Sequence, residues 1–340
     1  SGIIKFIKKE KIHYNLLHSN YWFSGLVSVG ISQRLNIPQV HIFHSTGKIR
    51  LKILKELGRA DIDPVIEKRI QTEEILANQI NNFIASSPIE KHLLNKTFSI
   101  PTEKIEFIPI GVDTKLFRPI EEQEAKKILK IKNSAKVIIS VSRIEENKGI
   151  ETLIRAFQKI ESIWPEALLY IVGGEKNQLK RGNEIYQLKK LAKQLGLARK
   201  VKFAGQVDQK KLYLYYSAAS VCAVPSYYET FGIVPLEAMA CGIPVVASNT
   251  GGLKFTVRNG KTGFLAKPKD ANDLFEKINS ALYLDKSYFS KQCLLRVDHY
   301  FRWNQIAMRY IDYYTEAIKL FTDKKHFIGS ISSAEINTLN

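Results

Sequence analysis

Tyr228-Glu229-Thr230-Phe231-Gly232-Ile233-Val234-Pro235-Leu236-Glu237-Ala238-Met239-Ala240-Cys241-Gly242-Ile243-Pro244-Val245-Val246 is the stretch on which the reading of this chain turns. Just before it, the apolar run Val221–Val224 ends at Pro225 and reads as a strand. A helix is expected to begin near Ile233, with Pro235 in its first turn, where the missing amide is tolerated. Gly232 lets the backbone approach a ligand closely, and the free amides of a helix start form an anion site. Two carboxylates, Glu229 and Glu237, stand at the same spot. They would repel a phosphate unless they face something else, and hydroxyls are the natural candidates. With one before the helix and one inside it, the two cannot do the same job. A ligand with an anionic middle and polyol ends fits: a sugar nucleotide. On this stretch alone a competing reading stays open, in which the acidic residues simply answer the dipole of a helix N-terminus.

Working outward, short apolar runs alternate with helical periodicity along the chain. Tyr14–His18 and Gln39–Phe43 read as strands around a helix Gly25–Leu35. A helix Pro64–Gln79, a strand Asn82–Ser86, a helix Ile89–Asn95 and a strand Ile105–Pro109 follow. Beyond the turn-rich segment Gly111–Pro119 come strands at Lys136–Val141, Ala167–Val172, Lys200–Ala204, Ser220–Val224 and Pro244–Ala247, each followed by a helix. Such a run of βα units implies an α/β chain with parallel sheets covered on both faces. The helices Lys286–His299 and Asn304–Leu320 close the pattern, and a polar tail expected to be disordered begins at Thr322. The domain reading is residues 1–115, residues 116–300, a helix over 301–320 that crosses back to the first domain, and a tail over 322–340.

The 340 residues are 45% apolar and 25% charged, which excludes collagen-like, wholly disordered and mucin-like chains. No apolar run approaches the roughly 18 residues a membrane span needs. The net charge of +18 favours anionic partners such as phosphorylated small molecules or an anionic membrane surface, or is plain compositional drift. No zinc finger, RNP-type aromatic motif or basic zipper supports specific nucleic-acid binding. Three cysteines without paired spacing form neither a disulfide framework nor a zinc site, so a reducing cytoplasm fits best.

A second feature follows the strand Lys136–Val141. Ser142-Arg143-Ile144-Glu145-Glu146-Asn147-Lys148-Gly149 places an arginine and a lysine at the carboxyl end of a parallel strand, where open α/β sheets bind ligands. Arg143 and Lys148 there suit two phosphates, one by bidentate geometry and one as a point charge. A solvated loop of ordinary charges is the plain alternative. Gly173-Gly174 is a weaker signal, and neither a G-x-G-x-x-G nor a P-loop motif is present.

Taken together, these features resemble the retaining glycosyltransferases of family 4. Their signature is a pair of glutamates spaced as Glu229 and Glu237 are, within E-x-F-G-x-x-x-x-E-A-M-A-x-G-x-P-V-V-A. The likeness continues through Gly251-Gly252, Asn259-Gly260 and Thr262-Gly263-Phe264-Leu265, and back to Pro109-Ile110-Gly111-Val112-Asp113 with Phe117. It reaches into the first half at His18–Gly25 and at Phe43-His44-Ser45-Thr46-Gly47-Lys48, so it spans residues 12–320. The resemblance implies a GT-B fold of two Rossmann-like, doubly wound parallel-sheet domains. It assigns Arg143 and Lys148 to the donor diphosphate and the leaving group, and Glu237 to the ribose hydroxyls. Glu229 would face the transferred sugar, with the amides of Phe231, Gly232, Ile233 and Val234 around the sugar and phosphates. Gln206 and Val207 would lie near the base, and His44 against the donor sugar. No metal and no cofactor is implied, since the nucleotide-sugar is itself a substrate.

The first half looks most like the sucrose-phosphate synthase and inositol-phosphate glycosyltransferase branch. There, basic groups take the acceptor phosphate, which would fall here to Arg69 and Lys48, with a plain surface arginine as the other reading of Arg69. Relative to the family pattern, the first domain lacks its opening βα units, roughly 90 residues at about 30 per unit. The reading is therefore of a first domain that is truncated, completed by a companion polypeptide, or decayed. Tyr14–His18 is then expected as an exposed sheet edge. The function implied is hexose transfer from a nucleotide-sugar, a UDP-sugar first, to a hydroxyl of a phosphorylated sugar, a polyol or a lipid-linked acceptor. The alternatives are a non-catalytic nucleotide-sugar-binding remnant and a GT-B sugar-nucleotide epimerase. The implied location is the cytoplasm, free or peripheral at the membrane.

Overall fold

The structure, a computed structural model, describes residues 2–58, 63–174 and 183–337. It divides into two compact units, Ser1–Ile108 with Ala307–Asn340 (unit 1) and Pro109–Ile306 (unit 2). Among the described residues no helix is long and apolar enough to cross a membrane.

Unit 1 runs α1 (Gly2–Glu10), β1 (Leu17–Asn20), α2 (Tyr21–Leu35), β2 (Gln39–Ile42), α3 (Gly47–Glu56), α4 (Pro64–Gln79), β3 (Asn82–Ala85), α5 (Pro88–Phe98) and β4 (Ile105–Phe107). Its four strands pair in parallel in the simple order β1-β2-β3-β4. Local chemistry sets the helix ends. Asn36 takes the left-handed conformation after α2, and the amides of Asn36 and Ile37 return to its last carbonyls. Asp63 caps α4 ahead of Pro64, and Ser87 caps α5 by accepting from the Glu90 amide. The core gathers Phe43, Leu76, Phe83, Leu94 and Ile105, with Phe43 stacked on both Phe83 and Phe98.

Unit 2 runs α6 (Glu122–Ile128), β5 (Val137–Val141), α7 (Ile150–Ile163), β6 (Leu168–Val172), α8 (Glu184–Gln194), β7 (Val201–Gly205), α9 (Gln209–Ser217), β8 (Val221–Val224), α10 (Ile233–Ala240), β9 (Val245–Ser248), α11 (Leu253–Thr256), β10 (Gly263–Ala266), α12 (Ala271–Tyr283) and α13 (Lys286–Tyr300). The last helix, α14 (Trp303–Asn337), begins in unit 2 and continues in unit 1.

The six parallel strands of unit 2 lie in the order β10-β9-β8-β5-β6-β7. Period-2 alternation buries the inner strands β5, β8 and β9 on both faces. Val137 and Ile139 of β5, Cys222 and Val224 of β8, and Val245 and Ala247 of β9 join one core layer. Their neighbours Ile138, Val221, Ala223 and Val246 join the other. That is why these strands read as unbroken apolar runs. α7 covers the second layer with Ile150, Leu153, Ile154, Phe157 and Ile160, a stripe of helical spacing. α10 is buried from Pro235 to Ala240, so its run is apolar all round apart from Glu237.

Several elements differ from the sequence reading. The first strand lies at Leu17–Asn20, not Tyr14–His18, because pairing begins only at Leu17 opposite Gln39. It stands at the edge of its sheet. β10 was read as a motif rather than a strand, since Gly263 and its turn hide a short apolar run. α1 and α3, whose lysines interrupt the apolar pattern, were not expected as helices. Where a disordered tail was expected from Thr322, the backbone of α14 continues to Asn337, and residues 338–340 lie outside the described residues.

Phe157 is fully buried at the centre of α7. Its replacement by alanine is expected to destabilise unit 2 by about 3–5 kcal/mol, seen as a lower urea midpoint with an unchanged slope.

Candidate active site

In unit 2 the chain lays β6 and β7 outward from β5, then returns to place β8 against the other side of β5. Crossovers on either side of this reversal leave in opposite directions, so a crevice opens at the carboxyl ends of β5 and β8. The loops after these two strands are the ones that carry Arg143 and Lys148, and Glu229.

The two loops are stitched together. Tyr227 donates its amide to the Asn147 carbonyl at 2.8 Å. Gly149, with φ +67°, runs so close to the next loop that a Cβ there would stand 2.1 Å from the Pro225 carbonyl oxygen. Only glycine fits this place. The result brings Lys148 Nζ to 2.7 Å from Glu229 Oε2, with both side chains largely shielded from solvent. A lysine and a glutamate that are distant in sequence thus meet as a partly buried pair. Arg143, by contrast, is 76% exposed and pairs with Glu145 at 2.7 Å.

Beyond Glu229 the chain makes Gly232 the N-cap of α10, and no side chain caps the helix. The first-turn amides of Ile233 and Val234 therefore keep their donors for something else. The loop is held from behind by main chain: the Gly252 amide donates to the Glu229 carbonyl at 2.8 Å. Phe231 anchors it below, packed against Phe255 and Phe301. Arg296 fixes Phe255 in turn by donating to the Phe255 and Thr256 carbonyls at the end of α11.

Glu237 projects from α10 into the apolar layer, only 7% exposed. Burial pushes its carboxyl up to about 7, against the downward pull of a hydrogen bond from Tyr216, whose hydroxyl donates to Oε2 at 2.7 Å. Gln206 is exposed and Val207 half-buried in the loop after β7.

Unit 1 gathers a different set. His44 follows β2 in the left-handed conformation (φ 58°), as does Tyr21 after β1 (φ 69°). Such backbone is strained for residues with side chains and clusters where function needs it. His44 Nε2 lies 2.9 Å from Asn20 Oδ1. Beneath it, His41 sits fully buried and hydrogen-bonded to Ser19, and His18 to Tyr314. Burial lowers both imidazoles, His18 to about 4 and His41 to about 3, so both are neutral at pH 7.

Arg69, read either as a ligand of the acceptor phosphate or as a plain surface arginine, is buried with a 4% exposure. Its Nε donates to Glu73 at 2.6 Å, Nη1 to the Tyr21 hydroxyl at 2.9 Å, and Nη2 to the Ser45 carbonyl and hydroxyl at 2.6 and 2.9 Å. The other Glu73 oxygen accepts from the Gly47 amide at the start of α3. One buried ion pair thus ties α4 to the loop after β2 and to Tyr21. Lys48 lies nearby on Glu74 at 2.8 Å and over the Phe98 ring. The structure brings Arg69, Ser45 and Tyr21 together in unit 1, and Lys148 with Glu229 in unit 2. Glu73 stands one helical turn after Arg69 in the sequence, whereas Tyr216 is the partner that sequence reasoning missed, because it resembles any core aromatic.

Glu73→Ala would leave Arg69 buried and unpaired. A loss of about 3–5 kcal/mol of stability is expected, measurable by chemical denaturation.

Each unit is a parallel sheet wound with helices, and that of unit 2 reverses its strand order as nucleotide-binding sheets do. The profile described as "Glycosyl transferases group 1" matches residues 121–290, and "Glycosyltransferase Family 4" matches residues 1–116. The chain is 30% identical to the mannosylfructose-phosphate synthase of Agrobacterium fabrum over 90% of its own length and 69% of that protein. It is 34% identical to D-inositol 3-phosphate glycosyltransferase 2 of Catenulispora acidiphila over 78% of its length, spanning 61% of that relative. Among solved structures it is similar to the sucrose-phosphate synthase of Thermosynechococcus elongatus, with a TM-score of 0.81 and 34% identity over 94% of this chain and 77% of that one. Anabaena HepE in complex with UDP and glucose shares the fold, with a TM-score of 0.78 at 21% identity, covering 92% of this chain and 81% of that one. The chain belongs to the family 4 glycosyltransferases, and its fold is GT-B, with two Rossmann-like domains.

Proposed function

We propose that the protein is a retaining glycosyltransferase that moves a hexose from a UDP-sugar to a hydroxyl of a phosphorylated sugar or polyol. The observation that carries this reading is the Lys148–Glu229 pair, set beside the uncapped start of α10 at the strand-order reversal of unit 2. It supplies a cation for the diphosphate, amides for its oxygens and a carboxylate for sugar hydroxyls within one pair of loops. Relatives named as phosphate-sugar and inositol-phosphate glycosyltransferases support the acceptor class.

In this reading the donor diphosphate replaces Glu229 as the partner of Lys148, and Arg143 swings from Glu145 to join it. The acceptor oxygen bonds to the anomeric carbon on the face the diphosphate leaves. The carbon–oxygen bond to phosphate breaks with its electron pair going to the nucleotide, and the acceptor proton passes to a leaving phosphate oxygen. Charge collects on that oxygen in an oxocarbenium-like transition state, and preorganised cations and amides act most strongly there. The reading assigns that neutralisation to Arg143 and Lys148, with neither metal nor cofactor taking part. Glu237 takes the ribose hydroxyls, the loop of Gln206 and Val207 lies toward the base, and His44 meets the reacting sugar. In unit 1 the hydroxyls of Tyr21 and Ser45, already bonded to Arg69, can turn as donors toward an acceptor phosphate, with Lys48 as the nearby mobile charge.

Lys148→Ala is expected to lower kcat by about 100-fold or more, and to lower the melting temperature as well, because Glu229 is left uncompensated in a shielded place. Thermal unfolding with UDP, GDP, ADP and dTDP in turn identifies the donor. A ligand at about 100 times its Kd adds about 2.7 kcal/mol, worth several degrees. Silence with all four would overturn the assignment. An acceptor-independent interconversion of the donor would point to an epimerase instead.

The pH dependence has a defined sign. Glu237, held up to about 7, is partly neutral at neutral pH, and ribose hydroxyls donate best to its ionised form. Affinity for UDP-glucose is therefore expected to rise between about pH 6 and about pH 8. The diphosphate of this ligand has no group that titrates near neutrality, so calorimetry reads the protein alone. A flat profile would remove Glu237 from the site.

A further inference from the structure

We propose that Tyr216 is a positioning residue of the donor site: its hydroxyl holds one oxygen of the Glu237 carboxylate so that the other is presented to the ribose hydroxyls. The inference rests on the donor reading above and deepens it. It starts from a misfit. Tyr216 stands at the last turn of α9, fully buried in an apolar layer, with its ring edge-on to Phe117. Phenylalanine would fill that place equally well, and a hydroxyl taken from water into such a layer is unfavourable unless it is bonded. Its hydroxyl is bonded: it donates to Glu237 Oε2, 2.7 Å away.

Glu237 presents the matching misfit. It is a carboxyl in the otherwise apolar buried run Pro235–Ala240. The titratable groups facing it are Tyr216 from α9, Cys222 from β8 and Cys241 at the end of its own helix. Burial raises all three, so each keeps its proton at neutral pH. None of them brings positive charge. The phenol is the neighbour that favours the carboxylate over the carboxylic acid. It also sets the direction of the carboxyl, because an oxygen tied to a residue on another helix stops the group from rotating. A carboxylate that must receive two hydroxyls of one sugar ring gains from being fixed before the ligand arrives.

The test is Tyr216→Phe, which removes one oxygen and keeps the shape of the core. Binding of UDP-glucose is followed by calorimetry across the neutral range in the wild type, in Tyr216→Phe and in Glu237→Gln. The expected result is an affinity for Tyr216→Phe about tenfold weaker at pH 7, with its rise displaced to higher pH by about one unit. The rate at saturating donor should change little, because the reacting carbon is not touched. Glu237→Gln should lose the pH dependence altogether.

If Tyr216→Phe binds with the wild-type affinity and pH profile, the proposal is overturned, even where its melting temperature falls, since the phenol would then serve packing alone. A pH profile that persists in Glu237→Gln overturns it as well, because another group would be titrating. Failure of the wild type to bind UDP-glucose, or any of the four nucleotides, is a different result: it removes the donor reading itself.

Discussion

The reversal of strand order between β5 and β8 is the constraint from which the rest of unit 2 follows. Two neighbouring parallel strands whose crossovers depart in opposite directions leave their carboxyl ends uncovered. Everything assigned to the donor is a way of furnishing that opening. The loops on either side are drawn together by the Tyr227–Asn147 hydrogen bond and by the close passage at Gly149. The start of α10 then turns its amides toward the same place. Among the described residues unit 1 has no such reversal, since β1 to β4 follow one another in sequence order. Its cluster is built by other means, from strained residues after β1 and β2 and a buried arginine that braces them.

Much of this was legible in the amino-acid sequence. Strands buried on both faces announce themselves as apolar runs, so β5, β8 and β9 at the middle of unit 2 could be read directly. The loop before α10 could be singled out because Gly232, Glu229 and Glu237 are residue types that a plain strand–helix junction does not call for. What escaped has a physical pattern. β10 is short and opens with a glycine. α1 and α3 carry lysines across their periodicity, and their helical state depends on context more than on composition. The edge strand of unit 1 was displaced by three residues because its register is set by its partner at Gln39 and not by its own apolar content.

Partnerships were harder to read than positions. Arg69 could be picked out as a candidate, but nothing in a helix sequence distinguishes an exposed arginine from one that reaches inward to Glu73, Ser45 and Tyr21. Tyr216 stands among other tyrosines on α9, and only the fold reveals that its hydroxyl meets Glu237. Lys148 and Glu229 were each assigned to a ligand, yet the structure also pairs them with each other. The pairing compensates both charges in a shielded place, where an unpaired one would cost much.

The donor loop is fastened by its main chain: the Glu229 carbonyl takes the Gly252 amide, and the Tyr227 amide reaches the Asn147 carbonyl. Gly251 packs so tightly behind it that a Cβ would stand 2.0 Å from the same Glu229 oxygen. With Phe231 anchoring it below, a loop held in this way keeps its shape when the side chains facing the crevice change. Scaffold and selectivity are thereby uncoupled. Under the proposed donor reading, substitutions at the positions that face the sugar would retune which hexose is accepted without loosening the frame, whereas the glycines behind are closed to change. Such a division would let one architecture diversify among many sugars by single steps, each of which leaves the protein folded.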